Sequence, residues 1–222
     1  MSAALSIDVF ADPVCPWCWI GKRRLEAAIA ARPDVEAVVR WLPFQLDPTI
    51  PPEGLDRAEY LENKFGDDDK ARAMHEQLAA IGRDEGLALL FADITRSPNT
   101  LDAHRAIRFA AEEGLIAQGA LIEQLFETYF TEGEDISDLD VIERAAEEAG
   151  LDSETLRERL ESDEDVELVR EEIQRARAIG VEGVPCFIFE NKLVVMGAHP
   201  PEVLVEAMDR ALGDEDDTQE DA

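Results

Sequence analysis

The chain has 222 residues, 45% of them apolar, which is enough for one large domain or for a domain carrying a sizeable insertion. Fifty-one Asp and Glu against 21 Lys and Arg give a formal charge of −30 at pH 7, a surface that repels nucleic acid and anionic membranes and argues against both as partners. No apolar run reaches the length needed to span a bilayer.

Near the start, Leu5, Ile7 and Val9 alternate with Ser6 and Asp8 as a buried strand does, and the basic and apolar regions of a secretion signal are missing, so the sequence reads as cytoplasmic. In a reducing compartment three cysteines are too few for a disulfide framework, and a close pair is catalytic or metal-binding rather than structural. That pair follows directly: Cys15-Pro16-Trp17-Cys18 sets two thiols one helical turn apart just after the strand. A thiolate is the reactive form of cysteine, and a helix N-terminus favours it through unpaired N–H groups and positive dipole. The other common use of such spacing is half a zinc site. Closing it would require Cys186 and a His, and the sequence has neither a second CxxC nor an HxxxH.

At the cysteines the period changes from strand to helix. Cys18, Leu25 and Ile29 share one helical face while Lys22, Arg23 and Arg24 include solvent-facing positions, which makes Cys18 the more buried thiol. Pro16 supplies a helical φ without needing a backbone donor, and Trp17 offers an apolar contact surface on the rim. A second strand follows at Val35 to Trp41, with Val35, Ala37, Val39 and Trp41 on one face, and four prolines between Leu42 and Gly54 close this unit.

Residues 55–161 read as helices. Met74, Leu78 and Ile81 mark one stripe and Leu121, Ile122, Leu125, Phe126, Tyr129 and Phe130 a broader one, packed on each other as core rather than around a cofactor. Gly86, Gly114, Gly133 and Gly150 punctuate them, and Ser137-Asp138-Leu139-Asp140 has the form of a capping box with Asp in place of Glu. His104 shares a stripe with Leu101, Ile107 and Ala111, the pattern of a core or interface histidine. A helix bearing Val169, Ile173 and Ala176 then ends near Gly180 and leads into Gly183-Val184-Pro185. Two apolar runs, Cys186 to Phe189 and Leu193 to Met196, flank Glu190-Asn191-Lys192 as a hairpin with Asn191 in a left-handed conformation. Pro200 and Pro201 open a last helix with Leu204, Ala207 and Met208, and residues 214–222 form an acidic disordered tail. The order predicts an α/β protein: a thioredoxin fold in two parts, 1–54 and 162–213, interrupted by an all-helical insertion domain at 55–161.

Over nearly its whole length the chain resembles the DsbA family of thiol-disulfide oxidoreductases, specifically its FrnE-like branch. Five motifs carry the resemblance in order: Asp12-Pro13-Val14-Cys15-Pro16-Trp17-Cys18 with Ile20-Gly21-Lys22-Arg23; Pro43-Phe44-Gln45-Leu46; Pro98-Asn99-Thr100 with Ala103-His104-Arg105; Tyr129-Phe130; and Gly183-Val184-Pro185. It implies that Cys15 is the nucleophile and Cys18 the resolving thiol, and that Pro185 follows a cis bond beside the dithiol, where Val184 presents its backbone to an extended substrate. It also implies that Asn99 and His104 face the thiols, Asn99 to orient a substrate amide and His104 to stabilise the Cys15 thiolate. Cys186 departs from the family pattern; it reads as a small buried hydrophobe, with a third thiol relaying oxidation near Cys15 as the alternative.

No metal and no organic cofactor are implied, since the Cys15–Cys18 pair is itself the redox centre. The expected partners are thiol- or disulfide-containing proteins or small molecules, glutathione among them, and a homodimer is compatible with the sequence. Two other functions occur on this kind of scaffold. Kappa-class glutathione transferases and 2-hydroxychromene-2-carboxylate isomerases typically carry Ser at the first thiol position, so the presence of both Cys15 and Cys18 favours redox chemistry; a peptide-binding, chaperone-like module would need neither.

Lysine occurs only at positions 22, 64, 70 and 192, and this acid-rich, Lys-poor balance points to a halophilic source. Self-repulsion on this scale strains a compact fold in dilute buffer, whereas near 1 M salt the screening length falls to roughly 3 Å. The melting temperature should therefore drop on desalting; identical melting in dilute and molar KCl would exclude the halophilic reading.

Overall fold

The alternation of Leu5, Ile7 and Val9 builds the central strand β1 (Ala3–Ala11) of the computed structural model, which describes residues 3–66 and 68–213. Helix α1 (Pro16–Ala31) crosses over to β2 (Val35–Pro43), which lies parallel to β1 in register from Ala3 opposite Val35 to Ala11 opposite Pro43. The chain then leaves the sheet for β3 (Leu55–Asp56), α2 (Arg57–Phe65), α3 (Asp68–Asp84), β4 (Arg96–Ser97), α4 (Leu101–Glu113), α5 (Leu115–Phe130), α6 (Leu139–Glu148) and α7 (Ser153–Glu161). It returns through α8 (Val166–Ala178), β5 (Cys186–Phe189), β6 (Leu193–Met196) and α9 (Pro201–Gly213). The sheet order is β2-β1-β5-β6, with β5 antiparallel to β1 and β6 antiparallel to β5. This is a mixed α/β thioredoxin fold with a helical insertion, as the element order predicts. The acidic tail at 214–222 lies outside the described residues.

The two faces of the sheet bury different residues. Leu5, Ile7, Val9 and Phe187 pack with Cys18, Leu25, Leu204 and Met208 from α1 and α9, whereas Phe10 and Cys186 join Phe44, Ala176 and Val181 in a second cluster on the α8 side. The larger core runs without a break into the insertion: Trp19 of α1 stacks against Phe126 and Phe130 of α5 at 6.1 and 6.0 Å. Its indole N–H donates to Glu123 Oε1 at 2.9 Å, and the same carboxylate holds Arg23 and, at 2.7 Å, Lys22. Burial alone would raise the Glu123 carboxyl; Lys22, Trp19 and Arg23 outweigh it and hold it below the usual carboxylate range. Lys22, expected among the solvent-facing positions, is buried because this partner comes from a helix distant in sequence.

Three local expectations need correction. Residues 55–56 and 96–97 form a two-residue antiparallel ladder inside the helical segment, too short to leave a periodic signal. Met74 is exposed while Leu78 of the same stripe is buried. The cap of α6 is Asp138, whose side chain accepts from Asp140 N at 2.9 Å; Ser137 bonds to Asp135 instead, so the box begins one residue later than its pattern suggests. The hairpin forms as read, with Glu190 as well as Asn191 at positive φ (53° and 54°), the requirement of a tight primed turn. Gly133 also has positive φ, and a Cβ there would lie 2.5 Å from Asp93 O, so the turn after α5 admits no side chain. Among the described residues no helix is long and apolar enough to cross a membrane.

Candidate active site

Cys15 is the N-cap of α1, with extended backbone (φ −96°, ψ 111°); its N–H donates to Asp12 O and its carbonyl accepts from Cys18 N, both at 2.9 Å. Pro16 takes the first helical position, where a missing N–H costs nothing. No side chain caps this helix and its first turn has no acidic residue, so nothing competes with the Cys15 sulfur for the positive end of the dipole. All three cysteines are free thiols. Cys15 is 4% exposed, Cys18 is fully enclosed, and Trp17 between them is 39% exposed, forming the rim. Burial pushes the Cys18 thiol well above its ordinary range, the adjacent Cys15 and the Asp12 charge add to this, and a hydrogen bond from the Asp12 backbone only partly opposes them. Cys18 therefore waits as a neutral thiol.

The Val184–Pro185 peptide is cis, and Val184 O lies 3.7 Å from Cys15 Sγ. Pro185 O accepts from Gly197 N at 2.7 Å, which anchors this turn to the end of the hairpin. Gly21 makes the close approach possible: a Cβ there would sit 2.8 Å from Pro185 Cγ and 3.2 Å from Phe187 Cζ. The structure thus brings Cys15, Pro16, Trp17, Cys18, Val184 and Pro185 together at one end of the sheet.

The remaining sequence candidates divide. His104 is buried, with Nε2 3.1 Å from Phe44 O and 3.7 Å from Asp12 Oδ1, a carboxylate in the turn before Cys15. Asn99 spends its side chain on the fold: Oδ1 accepts from Leu101 N (2.9 Å) and Gln45 Nε2 (3.2 Å), and Nδ2 donates to Ile50 O (2.6 Å), which ties the proline-rich segment to the start of α4. Asp12 enters the sequence reading only as part of a motif, yet it is enclosed and its Oδ2 accepts from Leu46 N at 2.7 Å. A carboxylate amid apolar residues three positions before the first cysteine was the available signal.

Cys186 pairs with Phe10 in the ladder and belongs to the α8-side cluster, on the other face of the sheet from Cys18. It sits as the small buried hydrophobe, and the structure does not join it to the dithiol. Burial pushes its thiol from the ordinary 9.0 up to about 11. With the folded-state value raised, its contribution to stability is complete below the unfolded thiol's range and is lost as pH climbs toward 11, because only the unfolded chain ionises there. Between pH 9 and 11 the native protein should accordingly lose about 2 kcal/mol more stability than Cys186→Ala. Parallel declines in urea titrations would rule this out.

The DSBA-like thioredoxin domain family matches residues 6–209 of the chain. The uncharacterized protein YwbO of Bacillus subtilis (strain 168) is 30% identical over 210 residues, 94% of this chain and 96% of that one. A crystal structure of the probable DsbA oxidoreductase SCO1869 from Streptomyces coelicolor superposes with a TM-score of 0.86 at 31% identity, covering 94% of this chain and 90% of the other. A 2-hydroxychromene-2-carboxylate isomerase shares the fold alone, with a TM-score of 0.66 at 18% identity over 96% of this chain and 99% of its own. With the family matched from the first strand to the last helix, around a dithiol at the start of α1, the chain belongs to the DSBA-like thioredoxin domain family.

Proposed function

We propose that the protein is a thiol-disulfide oxidoreductase of the FrnE-like branch, working through Cys15 and Cys18. The observation that carries this reading is the placement of an uncapped helix N-terminus, the Cys15 thiol at its first turn and the Val184 carbonyl within reach of one another. Cys15, as thiolate, attacks one sulfur of a substrate disulfide; the other leaves as thiolate and takes up a proton. Cys18 then gives up its proton and attacks Cys15 Sγ, which releases the second substrate thiolate and leaves a Cys15–Cys18 disulfide, so two electrons pass to the substrate. Run backward, the same steps oxidise a dithiol. Val184 offers its backbone to an extended chain as an added strand, and Trp17 supplies apolar contact beside it. The neutral, enclosed Cys18 suits a resolving role because it does not compete with Cys15 for substrate.

Insulin reduction by dithiothreitol in molar KCl tests the proposal. The protein should accelerate B-chain precipitation well above dithiothreitol alone and should not conjugate glutathione to chlorodinitrobenzene. The reverse outcome, conjugation without insulin reduction, would assign the chain to the transferase and isomerase type instead.

A further inference from the structure

The two edges of the sheet are finished differently. On the β2 edge, Gln118 of α5 takes the place of a neighbouring strand: its Oε1 accepts from Trp41 N at 3.0 Å and its Nε2 donates to Trp41 O at 2.9 Å. The opposite edge is β6, and among the described residues no strand lies beyond it. Gly197 N donates to Pro185 O, so the pairs that exchange hydrogen bonds across β5 and β6 are Pro185 with Gly197, then Phe187 with Val195 and Phe189 with Leu193. Val194 and Met196 alternate with these, and their N–H and C=O groups point outward from the edge.

The side chains of the same two residues are apolar and open to solvent, Val194 at 54% and Met196 at 42%. Their register sets them beside Ile188 and Cys186, on the sheet face whose β2 side α8 covers. Natural sheets blunt an open edge with a proline, a bulge or an inward-pointing charge. Leu193–Met196 has no proline or charge and pairs with β5 without a bulge, and Lys192 stands in the turn before the ladder. Charge sets this stretch apart as well. Residues 183–201 contain one acid, Glu190, and one base, Lys192, in a chain whose formal charge is −30. Glu190 is turned back onto Ser6 N, and Asp8, opposite Ile188 on β1, is held by Arg40 at 2.7 Å.

We infer that this edge joins a second copy of the chain, β6 against β6 in antiparallel pairing about a two-fold axis at Val195. Val194 exchanges hydrogen bonds with Met196 of the second copy and Met196 with its Val194, so every outward group of the two residues is met. The opposed Val194 and Met196 side chains form one apolar row that continues into Ile188 of each copy. Charge selects a second copy as the occupant. Two chains of −30 repel one another, and the repulsion is least where a stretch without net charge meets its own equivalent. Antiparallel pairing sets the two dithiols at opposite ends of the joined sheet, so the interface does not rest on the oxidoreductase reading.

Sedimentation equilibrium in molar KCl, over a range of protein concentration, reads the association without any redox step. The native chain should reach twice its 24.7 kDa. Val194→Lys should weaken the dimer by about tenfold or more. It also makes the chain less negative, so an association driven by general electrostatics would tighten instead. Val194→Pro removes an outward N–H and leaves the hydrogen bonds to β5 in place; it should be monomeric, with the far-UV circular dichroism of the native chain. Ile116→Lys, at a 92% exposed apolar position near the start of α5, should leave the dimer unchanged. In a Cys15→Ser/Cys18→Ser background, Val195→Cys should cross-link two chains under diamide. The proposal is overturned if the native chain stays monomeric, if Val194→Lys and Val194→Pro associate as the native chain does, if Ile116→Lys is the variant that dissociates, or if Val195→Cys forms no cross-link.

Discussion

Cys18→Ser should turn the protein from a catalyst into a trap: with insulin it accumulates a mixed disulfide at Cys15, visible as a mass increase removed by reductant, while turnover falls to the rate of dithiothreitol alone. The reason is geometric. Cys18 lies one turn along α1 with its N–H bonded to Cys15 O, and a group held at that range reacts with an effective concentration that can reach about 10⁵ M or more. Millimolar external thiol cannot replace it. Cys15→Ser should show neither adduct nor activity. An adduct mapped to Cys186, or native turnover by Cys18→Ser, would refute the assignment of nucleophile and resolving thiol.

The largest stability effect is expected at Arg105. This side chain is 2% exposed, and its five N–H donors meet five acceptors: the carbonyls of Arg159, Leu160, Ser162 and Glu164 and the Asp102 carboxylate. It closes the end of α7 and the turn into α8 against α4. Arg105→Met leaves four carbonyls without this donor and should cost about 3–5 kcal/mol, a large share of the 5–15 kcal/mol typical of a domain. Arg105→Lys keeps the charge but has three donors in place of a planar fork, so it should recover only part of the loss. Urea unfolding in molar KCl measures both variants; a loss under about 1 kcal/mol for Arg105→Met would show the network to be dispensable.

What could be read from the sequence was what depends on near neighbours. The period-two pattern of β1, the dithiol at a helix start, the hairpin around Asn191 and the helical character of residues 55–161 each follow from spacing within a few residues, and all four appear in the structure. What escaped depends on partners far along the chain. Lys22 looks solvent-facing until Glu123 arrives from α5, and Arg105, named in the sequence only within a motif, gains its role from four carbonyls of residues 159–164 that surround it. For Cys186, alternation shows that it and Phe187 face opposite ways, but only the pairing with Phe10 decides which of them shares a face with the dithiol. Asn99 carried a motif-based expectation of substrate contact, and its hydrogen bonds to Gln45, Leu101 and Ile50 place it among the groups that shape the segment beneath the site.

The span between Cys15 and Val184, 169 residues, has a consequence for the order of assembly. A ribosome releases the thiol pair first, when β1 has β2 to come on one edge and nothing on the other. The edge that receives β5, and the carbonyl that stands over the sulfur, exist only after those further 169 residues have emerged. Until then the nascent protein carries two thiols with no groove to select what they meet. Chemistry and specificity are therefore delivered at separate moments of synthesis, and the closing of β5 onto β1 is the event that joins them.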